Sequence, residues 1–166
     1  MEPAPLDKGT LLALDFGLKR IGMAVGDLER GIAHPLHAIA YEDNARRMQA
    51  IAELVMEWHP VRLIVGIPGS ADGDPHPLAP HIARFVRRLR ARFGIPVETI
   101  EERLSSWSAS RKLSAAGLPA HRQSKHLDAM AACVILETWL EQHRPGATLP
   151  SPGLDANAGL SRDGKI

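Results

Sequence analysis

The chain has 166 residues, 45% of them hydrophobic and 23% charged, and a formal net charge of +1, as is typical of one soluble globular domain with a single core. No apolar stretch is long enough to span a bilayer, and the N-terminal residues lack the apolar region of a signal peptide. One cysteine, Cys133, excludes an internal disulfide framework and a cysteine-based zinc site, so we expect a cytoplasmic protein.

The first part of the chain predicts three closely spaced strands. Residues 10–16 are nearly all apolar, as in a strand buried on both faces, and a short turn leads to a second strand that begins at Ile21. A third strand is predicted over residues 32–39, where Pro35 restricts it to a sheet edge or a bulge. Strands joined by such short connections pair as antiparallel neighbours.

The rest of the chain alternates helices and strands. The predicted elements are a helix capped by Asp43 or Asn44 and reaching about Trp58, a strand over 61–68, a helix over 80–92, a strand over 95–102, a helix over 105–117 and a last helix over 125–142. This order predicts an α/β fold whose mixed five-stranded sheet has three antiparallel strands, then two parallel ones, flanked by helices. We expect residues 10–143 to form the domain and residues 1–9 and 144–166 to be disordered.

Positive charge is concentrated in one third of the sequence. Between His81 and His126 there are ten Lys and Arg residues against three acidic ones, a net charge of +7. Such an asymmetry suits a polyanionic partner such as nucleic acid, although a solvated basic surface explains it equally well. The candidate nucleic-acid-binding residues, which include the basic pair after the first strand, are Lys19, Arg20, Arg84, Arg87, Arg88, Arg103, Arg111 and Lys125.

Four acidic residues stand where the apolar pattern does not predict them. Asp15 lies near the end of the first strand, and Glu101 and Glu102 end the last strand. Asp128 shares a stripe of the last helix with apolar residues. Each has a structural alternative: Asp15 as a turn former, the glutamates as a polar strand end, and Asp128 as an anion at a helix N-terminus.

The four acids make a stronger case together. Acidic residues on a first strand, a later strand end and a packed helix can converge at one edge of a sheet, where their mutual repulsion favours a hard cation. Oxygen ligands alone point to Mg²⁺ or Mn²⁺, and two such ions about 4 Å apart assist phosphodiester cleavage. We therefore regard Asp15, Glu101, Glu102 and Asp128 as candidate catalytic residues and metal ligands.

Four blocks of the sequence, in order, resemble the YqgF family, the bacterial RuvC-like proteins named as pre-16S rRNA nucleases or Holliday junction resolvases. The blocks are DFGLKRIGMAVGD (15–27), VGIPGSADG (65–73), EERLSS (101–106) and LDAMAACVIL (127–136). The resemblance implies a ribonuclease-H-like fold and a metal-dependent nuclease whose carboxylates match Asp15, the acidic pair and Asp128. In one respect the chain departs from the family pattern, which usually has aspartate where this chain has Glu101.

The resemblance further implies hydrolysis of phosphodiester bonds in the 5′-end maturation of pre-16S rRNA. Nucleic acid is then the partner, within a ribosomal precursor particle, and we expect a monomer or weak homodimer that does not contact membranes. Two alternatives stay open from the sequence: a resolvase acting on branched DNA, and a nucleic-acid-binding factor without catalytic activity, which the replacement at Glu101 favours.

Overall fold

The computed structural model of the chain describes residues 8–68, 76–102 and 120–143. These residues form five strands and three helices: β1 (Thr10–Phe16), β2 (Ile21–Asp27), β3 (Ile32–Ile39), α1 (Asn44–Trp58), β4 (Arg62–Pro68), α2 (Ala79–Phe93), β5 (Val97–Glu102) and α3 (Ala120–Gln142). No helix in these ranges combines the length and the hydropathy that a membrane span requires.

The strands form one mixed sheet in the order β3-β2-β1-β4-β5. β1 pairs antiparallel with β2, which pairs antiparallel with β3, whereas β4 pairs parallel with both β1 and β5. This arrangement confirms the predicted ribonuclease-H-like sheet of three antiparallel strands and two parallel ones. Pro35 lies on an edge strand, and the register between β2 and β3 shifts close to it, as the sequence predicts.

Helices cover both faces of the sheet. On one face Leu12 and Leu14 of β1 pack with the buried residues of α1 and α2. On the other face their neighbours Leu11 and Ala13 pack with α3, where Leu136 is fully buried. Because successive residues of a strand point to opposite faces, the sequence of β1 is apolar at both odd and even positions.

The helix positions follow the sequence for α1 and α2 and differ for α3. The Asp43 carboxylate caps α1 by accepting a hydrogen bond from the backbone N–H of Ala45 at 3.2 Å. α3 begins at Ala120, five residues before the predicted start. The prediction missed these residues because the first turns of the helix are polar and carry no apolar periodicity. The helix predicted over 105–117 and the tails predicted to be disordered lie mostly or wholly outside the described residues.

Small residues let α3 approach the sheet closely. Gly22, Ala24 and Gly26 occupy alternate positions of β2, and Ala24 packs in the α3 cluster. A Cβ atom built on Gly26 would lie 2.7 Å from Cδ2 of Leu136, and one built on Gly22 would overlap the carbonyl oxygen of Asp128. The backbone of α3 therefore lies directly against the start of β2.

Candidate active site

Asp15 lies one residue before the end of β1, where the buried part of the strand gives way to solvent. Its position in the alternation of β1 places it on the face that α3 covers, with Leu11 and Ala13. In the sheet register its partners are Gly22 of β2 and Gly66 of β4. Neither partner has a side chain, and at Gly22 the space that a side chain would fill is taken by the backbone carbonyl of Asp128.

Asp128 reaches the same corner of the molecule from α3. The close contact between its backbone and Gly22 fixes its place, because Gly22 is paired with Asp15 in the sheet. α3 begins eight residues before Asp128, so the alternative in which Asp128 is an anion of the first helical turn is wrong. The contact at Gly22 is thus the feature that brings these two acids together.

Arg20 forms an ion pair with Asp128. The Nε atom of Arg20 lies 2.7 Å from Oδ2 of Asp128, and both side chains are partly exposed. Oδ2 itself is a buried atom, and the Arg20 guanidinium is its charged neighbour. Burial raises the pKa of the Asp128 carboxyl, and the Arg20 guanidinium only partly offsets this effect.

The register of β5 separates the two glutamates. Val97 of β5 packs with α1 and α2, whereas Ile100 packs with α3. By this alternation position 102 belongs to the face of Asp15 and Asp128, and position 101 belongs to the opposite face. Glu101, whose side chain is exposed, is paired with Ile67 of β4; the side chain of Glu102 lies outside the described residues.

No group of three or more His, Cys, Asp and Glu side chains within the described ranges is placed to hold a metal ion. That observation covers Asp15, Glu101 and Asp128 but not the side chain of Glu102. The structure thus brings together two of the four predicted acids, together with Arg20.

The predicted nucleic-acid-binding residues occupy two places. Lys19 is exposed in the turn between β1 and β2, next to Arg20. Arg84, Arg87 and Arg88 lie on the exposed side of α2, whose other side buries Ile82, Phe85, Val86 and Leu89. Arg103, Arg111 and the side chain of Lys125 lie outside the described residues.

Arg47 is a residue near the site that the sequence analysis missed. It is 4% exposed and is the one buried charged side chain in the described part of the chain. Its guanidinium donates hydrogen bonds to the carbonyl oxygens of Leu18 and Tyr41 and lies over the ring of Phe16. Burial lowers the pKa of Arg47. Its helical spacing with Ile51 and Leu54, both buried, was the available signal.

Arg47 holds the turn that carries Lys19 and Arg20. We expect Arg47→Lys to lower the free energy of unfolding by about 1–2 kcal/mol, because an ammonium group keeps the charge but lacks the planar fork that serves both carbonyls. Urea denaturation measures this loss. The matched control is Arg46→Lys at the exposed neighbour, for which a change within about 0.5 kcal/mol is expected. Equal losses in the two variants would contradict the role given to Arg47.

Comparison with known proteins adds independent findings. A family model described as "RuvX: Holliday junction resolvase" matches residues 9–142. A "Putative pre-16S rRNA nuclease" of Methylobacillus flagellatus is 45% identical over 140 residues, covering 84% of this chain and 96% of its own length. A protein of the same description from Nitrosospira multiformis is 46% identical over 134 residues, covering 81% and 89%. Thermus thermophilus RuvC in complex with Holliday junction substrate matches with a TM-score of 0.48 and 18% identity, over 76% of this chain and 91% of that one.

Proposed function

This chain belongs to the RuvX family, a family of nucleases, and from that premise we propose that it is a divalent-metal-dependent endonuclease that matures the 5′ end of precursor 16S rRNA. The curated relatives, which this chain matches over most of their length, carry the description of a pre-16S rRNA nuclease and favour RNA as the substrate. The observation that carries the proposal is the approach of Asp128 to Asp15 across Gly22.

The described residues fit a hard divalent cation. Asp15 lies one residue before the end of β1, next to the glycine that the backbone of Asp128 contacts, and a buried oxygen of Asp128 already lies beside a cation, the Arg20 guanidinium. Carboxylate oxygens are the ligands that Mg²⁺ and Mn²⁺ prefer. We propose that Asp15, Asp128 and Glu102 hold the metal, which would supply Lewis acidity at the scissile phosphate.

Glu102 is preferred to Glu101 as the third acid. Position 102 is two residues after Ile100 in β5, so it belongs to the sheet face that packs with α3, whereas position 101 belongs to the opposite face. The replacement of the family's aspartate by Glu101 then falls outside the metal site. On this assignment the replacement does not argue for a protein that only binds nucleic acid.

The protein's own side chains have separate tasks in the proposed reaction. Arg20 holds the Asp128 carboxylate in place until the cation binds, because the ion pair fixes one of its oxygens. Lys19 is exposed one residue away and is available to the phosphate backbone of the substrate. The arginines on the exposed side of α2 add electrostatic attraction for the strand, which precedes any chemical step.

A second candidate function is resolution of Holliday junctions. The description of the matching family model favours it. The same acids would then cleave branched DNA, and such an enzyme would be expected to act as a dimer, since a junction presents two strands for cleavage.

A cleavage assay tests the proposed function. We expect the protein to cleave labelled precursor 16S rRNA with Mn²⁺ or Mg²⁺ and to be inactive in EDTA, since carboxylates alone supply no Lewis acid. Single-stranded RNA of unrelated sequence and a four-way DNA junction serve as comparison substrates. Preferential cleavage of the junction would favour the resolvase function. Binding of RNA without cleavage in either metal would reject the nuclease.

A further inference from the structure

A cavity of about 320 Å³ lies beside the end of β1, on the opposite face of the sheet from Asp15 and Asp128. We call it the α2 cavity. Its apolar lining consists of Phe16, Leu18 and Phe85, and its basic lining includes Arg84 and Arg88 of α2. Neither the fold nor the proposed metal site requires this cavity.

The charge of the α2 cavity suits a phosphate group. Arg84 and Arg88 are one helical turn apart, so their side chains lie on the same side of α2, and both are exposed. A nitrogen of Arg84 lies 3.4 Å from Nδ1 of His81, which also lines the cavity. Glu42 is the one acidic residue among the described lining residues, and its charge acts on Arg47.

The apolar lining indicates more than a phosphate. The ring centroids of Phe16 and Phe85 are 5.0 Å apart, and both residues line the cavity. Leu18 is 53% exposed at the rim, although an apolar side chain gains nothing from water there. Apolar side chains combined with exposed basic ones are typical of sites that bind single-stranded nucleic acid. The volume of the α2 cavity is at the small end of the range for ligand pockets.

The position of the α2 cavity connects it to the acids. Phe16 follows Asp15 directly in β1, so the two side chains lie on opposite faces of one strand end. The turn that joins these faces contains Leu18, Lys19 and Arg20. A nucleic-acid strand that contacts both the α2 cavity and the two acids must cross this turn, where Lys19 is exposed.

We propose that the α2 cavity binds one nucleotide of the single-stranded segment beside the scissile bond, with Arg84 and Arg88 on its phosphate and Leu18 against its nucleoside. This inference rests on the proposed nuclease function. Because the cavity lies at a fixed distance from Asp15, the nucleotide held there determines which bond of the strand reaches the acids. The cavity therefore selects the cleavage position.

Binding in EDTA tests the inference without cleavage. Fluorescence anisotropy with a labelled single-stranded RNA measures the affinity of R84Q/R88Q. The control variant R87Q/R92Q also loses two positive charges, but from exposed positions of α2 outside the cavity lining. We expect a loss of affinity of about tenfold or more for the first and about threefold or less for the second. The salt slope of the first should fall by about 0.7 for each RNA phosphate that the variant no longer neutralises.

An uncharged substitution separates the cavity from diffuse attraction. Leu18→Ser should weaken binding by about fivefold and leave the salt slope unchanged, because it removes an apolar surface for a nucleoside and no charge. Circular dichroism and thermal melts check that each variant is folded. Equal losses in the two double variants, or unchanged affinity of L18S, would overturn the inference.

Cleavage by the unaltered protein distinguishes the two proposals. If the unaltered protein cleaves precursor rRNA with Mn²⁺ but R84Q/R88Q and L18S do not lose affinity as described, the inference about the α2 cavity is wrong and the nuclease proposal stands. If it does not cleave while R84Q/R88Q and L18S lose affinity as described, the nuclease fails and the cavity stands as a nucleotide site. In an active protein, R84Q/R88Q should spread cleavage over several neighbouring bonds.

Discussion

Replacing Asp15 or Asp128 by asparagine is expected to reduce cleavage of precursor rRNA by about a hundredfold or more, which corresponds to the loss of about 2.7 kcal/mol or more of metal-assisted catalysis. The amide keeps the shape of the carboxylate but loses the negative charge that a hard cation requires. Initial rates at saturating Mn²⁺ measure the effect, and thermal melts check the fold. Cleavage by either variant within a few-fold of the unaltered protein would reject its assignment as a metal ligand.

The two glutamates of β5 give this test a matched pair. Glu102→Gln should cause a loss comparable to that of Asp15→Asn, because position 102 is on the face of the acids. Glu101→Gln should change the rate by less than about tenfold, since position 101 is on the other face and its charge acts only from a distance. A larger loss for Glu101→Gln than for Glu102→Gln would show that the sheet face of a β5 residue does not determine which glutamate is the third ligand.

Gly22→Ala is expected to destabilise the protein by about 3 kcal/mol or more, at or beyond the upper end for overpacking, because its Cβ would overlap a backbone carbonyl of α3. For a domain of this size the melting temperature should fall by roughly 6–12 °C. Differential scanning calorimetry measures the change. Cleavage should fall as well, since α3 must move and Asp128 moves with it.

Gly26→Ala is the matched control on the same strand and face. Its Cβ would meet a methyl group of Leu136, a side chain that can rotate, so a cost of about 1 kcal/mol is expected. Equal destabilisation by the two substitutions would mean that the contact at Gly22 is not tighter than the rest of the interface between α3 and the sheet.

Much of this fold was predictable from local patterns. The apolar run of β1, the short turns after it and Pro35 in β3 were sufficient for the antiparallel half of the sheet. The start of α3 was not, because its first turns are polar and no apolar spacing marks them. Helix propensity without an apolar face is a weak signal, and tertiary context decides such positions.

The candidate site was predictable only in part. Asp15 and Asp128 were noticeable because they interrupt apolar patterns, but their approach depends on a contact between Gly22 and a helix about a hundred residues later in the chain. The choice between Glu101 and Glu102 depends on which alternate positions of β5 share the sheet face of Asp15. The sequence alone does not give this relation. The helical spacing of Arg47 with two apolar residues indicates the buried side of α1, but its hydrogen bonds to the carbonyl oxygens of Tyr41, six residues earlier, and of Leu18, in the turn after β1, depend on tertiary structure.

The place of α3 in the chain order has a consequence for the time at which activity arises. During synthesis all five strands leave the ribosome before α3, and the face formed by Leu11, Ala13, Ala24 and Ile64 then has no cover. Asp128 reaches Asp15 only when α3 docks on that face. A nascent chain that is still attached to a ribosome therefore carries only part of the proposed site, and the proposed cleavage of rRNA requires that the ribosome has first finished the helix that completes this site.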